Sequence, residues 1–194
     1  VERELILTGI GGQGIQLAAA VVARAAVSEG REAQVFGSYG GMMRGGATEA
    51  TIVVADGPVE APPTVSTAWS AVVMHHDFAA ATLVRLRQGS IVLVNSTVVQ
   101  GLELDDEWQV VEVPASDLAV EIGNLMTASM VMIGAYAAVT GLVALGSLVA
   151  ASTASLPPYR TQHAALNERA LRLGWSTVEA GSAPAWSVSS AVAG

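Results

Sequence analysis

A short strand-like run, ELILT at residues 4–8, passes through GIGGQG into the Ala-rich stretch 15–28, and this junction limits the folds open to the chain. A buried strand that turns tightly into a helix must lay that helix back over its own sheet, which begins an α/β layer structure with parallel strands. Four glycines within residues 9–14 allow the turn. Gly9, Gly11 and Gly14 also fall on the G-x-G-x-x-G spacing of dinucleotide-binding loops. Such a site needs an acid at the end of the second strand to hold a ribose hydroxyl. Here that strand ends Val35-Phe36-Gly37, and the nearest acids, Glu29 and Glu32, precede it. A Walker-type phosphate loop is excluded because the chain has no lysine. The glycines stay open to two readings, anion contact at a helix N-terminus or close packing of helix on sheet.

Alternation of the same kind continues along the chain. Strands are expected at 4–8, 33–36, 47–54, 71–74, 90–95 and 108–113. Helices are expected at 15–28 and about 78–87, with others starting near Ser116, Leu125 and Tyr159. This order predicts a three-layer α/β/α sandwich with a mostly parallel sheet. The strand at 47–54 alternates as if one face were wetter, which makes the sheet mixed. One domain is expected over residues 1–175, followed by a flexible, small-residue tail at 176–194 in which Trp186, with Trp175 at its root, anchors on a partner.

Composition narrows the function. All nine basic residues are arginine and seventeen acids bring the formal charge to −8, so a nucleic-acid backbone would be repelled. With no cysteine, the chain has no thiolate nucleophile and no thiolate ligands for iron–sulfur or zinc. The start VERELILTG is too short in apolar residues for a signal-peptide core, and a cytoplasmic location is expected. The uncharged run between Glu121 and Arg160 is long enough to suggest a membrane span. Its Ala, Gly, Ser and Thr content, and Gly141 and Gly146 placed to end successive helices, favour buried helices at a core or subunit contact.

A second glycine-dense loop, GSYGGMMRGG at 37–46, holds Arg44 between Gly40-Gly41 and Gly45-Gly46. This setting suits a guanidinium aimed at a carboxylate or phosphate, or one that caps carbonyls of the fold. His75, His76 and Asp77 follow a strand and read as a polar strand end rather than a metal set. Asn95 and Ser96 end another strand within reach of the same crevice. Met126, Met130 and Met132 read as core or subunit-contact filler, and the acids at 103–107 as a solvated turn.

Four blocks in order, GIGGQGIQLAAAVVARAA, SYGGMMRGGATEA, VPASDLAVEIGNLMTASMVMIGAYAAVTGL and LNERALRLG, together resemble the gamma subunit or gamma domain of the 2-oxoacid:acceptor (ferredoxin) oxidoreductases over about residues 4–174. These are the pyruvate, ketoisovalerate and 2-oxoglutarate enzymes. The resemblance implies a mixed-sheet α/β/α domain that is inactive alone and joins thiamine-binding alpha and beta subunits and an iron–sulfur subunit or ferredoxin. Thiamine diphosphate, Mg2+ and iron–sulfur clusters then belong to partner chains, with none in this one. Coenzyme A is the co-substrate. The resemblance further implies that Gly11, Gly12, Gln13 and Gly14, with Tyr39, Arg44, Gly45 and Gly46, lie nearest to the coenzyme A site, and that the chain supplies no catalytic residue and no metal ligand. The family's loop commonly reads Tyr-Gly-Pro-Glu-x-Arg-Gly-Gly, and here Gly41 and Met42 stand in place of Pro and Glu. A role resting on that acid is not carried over. The alternatives are a free-standing nucleotide- or flavin-binding protein and a purely structural assembly subunit.

Overall fold

The computed structural model describes residues 1–39, 45–60, 62 and 64–186. Six strands, β1 (Glu2–Ile10), β2 (Glu32–Tyr39), β3 (Ala47–Ala55), β4 (Ala68–Val73), β5 (Leu86–Asn95) and β6 (Gln109–Val113), form one sheet in the order β2-β3-β1-β4-β5-β6. β3 runs antiparallel to both β1 and β2, while β1, β4, β5 and β6 are mutually parallel. The sheet is therefore mixed, and the antiparallel strand is the one whose alternation set it apart.

The helices are α1 (Ile15–Ser28), α2 (Ala79–Leu83), α3 (Ala115–Glu121), α4 (Ala128–Thr140), α5 (Leu145–Ala154) and α6 (Ala164–Thr177). The two outer layers are unequal. One face of the sheet meets α1 and α4, with α6 packed on α4, through a large core that includes Leu5, Leu7, Ile52, Val72, Leu93, Ile133 and Leu171. On the opposite face α2 packs through Ala79 and Leu83 on Val73, Val92 and Val94, with partly buried Leu102, Leu104 and Trp108 beside them, and Ile6, Val53, Val65 and Ala68 form a separate cluster.

Every residue of α4 is buried, because the helix is enclosed by the sheet, α6, α1, α3 and α5. This explains its lack of a polar face. No helix among the described residues is long and apolar enough to cross a membrane. Gly141 does end α4, at φ 59°. Gly146, by contrast, lies inside the first turn of α5, an exposed position where a glycine costs little. The sequence reading therefore ended a helix where one begins. The helix expected at 78–87 is also shorter, a 3-10 turn (His76–Phe78) followed by α2. β5 starts at Leu86, ahead of the expected 90, and passes through Gly89 at φ 72° near a register shift against β4.

Residues 178–186, expected within a loose tail, lie against the core. Amide groups of Gly181, Ala183 and Ala185 donate to the carbonyls of Ala138, Val139 and Thr140 at 2.8, 3.1 and 2.6 Å. These are last-turn carbonyls of α4, which have no partner within the helix. Arg3 Nε donates to the Ala185 carbonyl at 2.6 Å, and Trp186 Nε1 donates to the Leu142 carbonyl at 3.1 Å. The Arg31 guanidinium sits 3.8 Å from the Trp186 ring centroid. Trp186 thus anchors the segment on this chain itself, and Trp175 packs partly buried against the same core.

Candidate functional site

The two glycine loops meet at the carboxyl end of β1. Gly11 N–H donates to the Gly46 carbonyl at 2.9 Å, and Thr48, at the start of β3, lies beside them. Gln13 braces the first loop: its Oε1 accepts from Ile10 N–H at 2.9 Å, and its Nε2 donates to the Met74 carbonyl at 3.2 Å. Gly14 precedes α1 at φ 76°, and a Cβ there would lie 2.8 Å from Ser129 Oγ of α4. Both the dihedral and the approach of α4 require glycine. No side chain caps α1, so its first-turn N–H groups are presented to the space in front of the loop. Tyr39 closes β2 opposite Thr48. Arg44 lies outside the described residues, and of the Tyr39 side chain nothing is described.

That space is a cleft of about 480 Å3 between the glycine loop, the start of α4 and the segment leading into α6. Asn124, Thr127 and Ser129 line it from the α4 side, and Arg160, His163 and Asn167 from the α6 side. Asn124 accepts from Met126 N–H at 3.0 Å and begins the 3-10 turn Leu125–Thr127 that runs into α4. Two helix starts therefore converge on the cleft. Although the chain has seventeen acids, none lines it. Arg160 and two positive helix ends, with no carboxylate to oppose them, give it an electrostatic setting suited to an anion.

Several sequence-selected residues lie elsewhere. Asn95 is wholly buried, donating to Ser116 Oγ at 2.9 Å and accepting from Ser116 N–H at 3.2 Å. It joins β5 to α3 and does not reach the cleft. Met130 and Met132 are core, whereas Met126 is exposed at the cleft rim. Arg160 and His163 were missed because nothing local distinguishes them. The one signal available was that Arg160 ends the long uncharged run.

Residues 4–177 match the family model described as pyruvate ferredoxin/flavodoxin oxidoreductase. The chain belongs to this family. A 2-oxoglutarate synthase subunit KorC of Methanothermobacter thermautotrophicus is 34% identical over 165 residues, covering 81% of this chain and 87% of the relative. The crystal structure of a keto/oxoacid ferredoxin oxidoreductase gamma subunit from Geobacter sulfurreducens superposes with a TM-score of 0.76 at 26% identity, over 91% of this chain and 95% of that one. A 2-oxoglutarate:ferredoxin oxidoreductase from Magnetococcus marinus, with 2-oxoglutarate, coenzyme A and succinyl-CoA bound, contains the same fold. It reaches a TM-score of 0.81 at 16% identity, over 90% of this chain and 30% of that one. The chain is thus a gamma-type subunit of the 2-oxoacid:ferredoxin oxidoreductases, which are multi-subunit oxidoreductases. The free-standing nucleotide- or flavin-binder reading is not favoured.

Proposed function

We propose that this chain works beside thiamine-binding alpha and beta subunits and an iron–sulfur subunit or ferredoxin, and that its cleft receives the anionic part of coenzyme A. The composite reaction turns a 2-oxoacid, coenzyme A and oxidised acceptor into acyl-CoA, CO2 and reduced acceptor. Thiamine diphosphate with Mg2+ supplies the carbanion chemistry and iron–sulfur clusters carry the electrons, all in partner chains. This chain has no cysteine with which to hold a cluster. Its own share is assembly surface and part of the coenzyme A site: the Gly11–Gly14 loop with the first-turn amides of α1, the Tyr39 to Gly46 loop with Arg44, and the Arg160–His163 rim. The observation that carries this reading is the acid-free cleft at two helix starts. The KorC relative makes 2-oxoglutarate the first substrate to assay.

Steady-state kinetics on the assembled enzyme test it. Arg44→Ala and Arg160→Ala should each raise KM for coenzyme A about 10- to 150-fold, the value of a lost charge-assisted hydrogen bond of roughly 1.5–3 kcal/mol. Lysine at either position should rescue partly, since an ammonium cannot form the bidentate fork. Unchanged KM with a lowered melting temperature would make these arginines structural and remove the proposal.

A further inference from the structure

His75, His76 and Asp77 gather one donor atom each within 4.8 Å of one another, at the end of β4. Crossovers leave β1 toward β2 and β4 toward β5, in opposite directions, so the strand order changes sense between β1 and β4. Ligands of open α/β sheets bind at that change. The Gln13–Met74 bond ties the glycine loop to the residue just before His75.

The contacts of the trio put more acceptors than donors around His76. His76 Nδ1 lies 3.2 Å from the Val98 carbonyl and its Nε2 lies 2.9 Å from Asp77 Oδ1. Both ring nitrogens thus face oxygen acceptors, and a neutral imidazole has only one N–H. His75 Nδ1 accepts from Asp77 N–H at 3.3 Å, a contact that an ion on the same lone pair would replace, and lies 3.6 Å from Asp77 Oδ2. A cation among the three would replace the long Asp77 N–H contact of His75 and the proton between His76 and Asp77. A tetrahedral ion with bonds of about 2.0–2.2 Å to nitrogen and oxygen holds neighbouring donors roughly 3.3–3.6 Å apart, so an ion must draw inward a trio whose donor atoms lie within 4.8 Å of one another, with His76 Nε2 2.9 Å from Asp77 Oδ1 and His75 Nδ1 3.6 Å from Asp77 Oδ2. The contact of His76 Nδ1 with a backbone carbonyl is the outer support that metal-bound histidines use to fix their tautomer. The two rings stack with centroids 4.6 Å apart, and about half of the His76 side chain is exposed, which leaves it room to move.

We propose that His75 Nδ1, His76 Nε2 and the Asp77 carboxylate bind one divalent cation of the zinc, cobalt and nickel class, with at least one coordination position open to solvent. Imidazole-rich, thiolate-free donors suit these ions. The proposal stands apart from the coenzyme A reading and is tested without coenzyme A.

The experiment is a titration of the chelator-stripped full chain with Co2+, followed by visible absorption, and with Zn2+ in competition with a chromophoric chelator. One equivalent should bind with roughly micromolar affinity. His76→Ala and Asp77→Asn should each weaken binding about tenfold or more. His163→Ala, which changes the one histidine outside the trio, should leave it unaltered. Absence of a bound-cobalt band at about millimolar Co2+ would identify the trio as an imidazolium–carboxylate pair only and overturn the proposal. Binding that ignores both trio substitutions would also overturn it.

Discussion

At Gly14 a backbone dihedral and a helix contact act on one atom. Alanine there must hold φ 76° at a cost of about 1–2 kcal/mol and displace Ser129 Oγ, only 2.8 Å from the added methyl. Gly14→Ala should therefore lower stability in chemical denaturation by more than the dihedral alone. Adding Ser129→Ala should recover the steric part and leave the dihedral part. Full recovery in the double variant would show that the left-handed conformation imposes no cost. Gln13 is a second residue whose role is positional: both ends of its amide are engaged, so it holds the loop rather than offering itself to a ligand.

Among the elements, α4 depends most on distant parts of the chain. Toward α6 it is bare at Gly134, where a Cβ would strike the Leu171 carbonyl, and α6 is bare at Gly174, where a Cβ would strike the Val131 carbonyl. These reciprocal glycines let the two backbones approach, which explains their place in the third and fourth family blocks. Because the obstruction is backbone on both sides, Gly174→Ala should destabilise by about 1–3 kcal/mol, read as a lowered denaturation midpoint with unchanged slope. The C-terminal end of α4 depends on residues 181–185. Ending the chain after Thr177 strips partners from three carbonyls of a buried helix, each worth about 1–3 kcal/mol when left unsatisfied. Such a chain should lose several kcal/mol against one ended after Trp186. Equal melting temperatures would show that water reaches those carbonyls.

For the molecule as a whole, the unequal layers of the sheet concentrate burial around α4. Ala135, wholly buried at its middle, has no route to solvent. Ala135→Arg should cost several kcal/mol by placing an unpaired charge in the core, and we expect it to abolish soluble accumulation of the chain. Normal yield and melting would mean that the helix can swing outward. The charge distribution works at the same scale: a chain of −8 keeps carboxylates away from one cleft, where arginine, histidine and helix starts dominate.

Much was legible without coordinates. The strand–glycine–helix junction, the alternation of strands and helices, the odd strand at 47–54 and the burial of α4 each show in a local pattern, because periodicity reports which face of an element meets the core. The glycine loops of the site were legible for the same reason, as local backbone demands. Only the tertiary structure decided that β3 slips between β1 and β2, that Arg160 and His163 stand across a cleft from Gly11, and that Gly181, Ala183 and Ala185 finish α4. Those outcomes rest on packing and backbone hydrogen bonds between residues far apart in the chain. An amide that caps a distant helix leaves no mark on its own side chain, and a cation gains its role from neighbours that folding alone supplies.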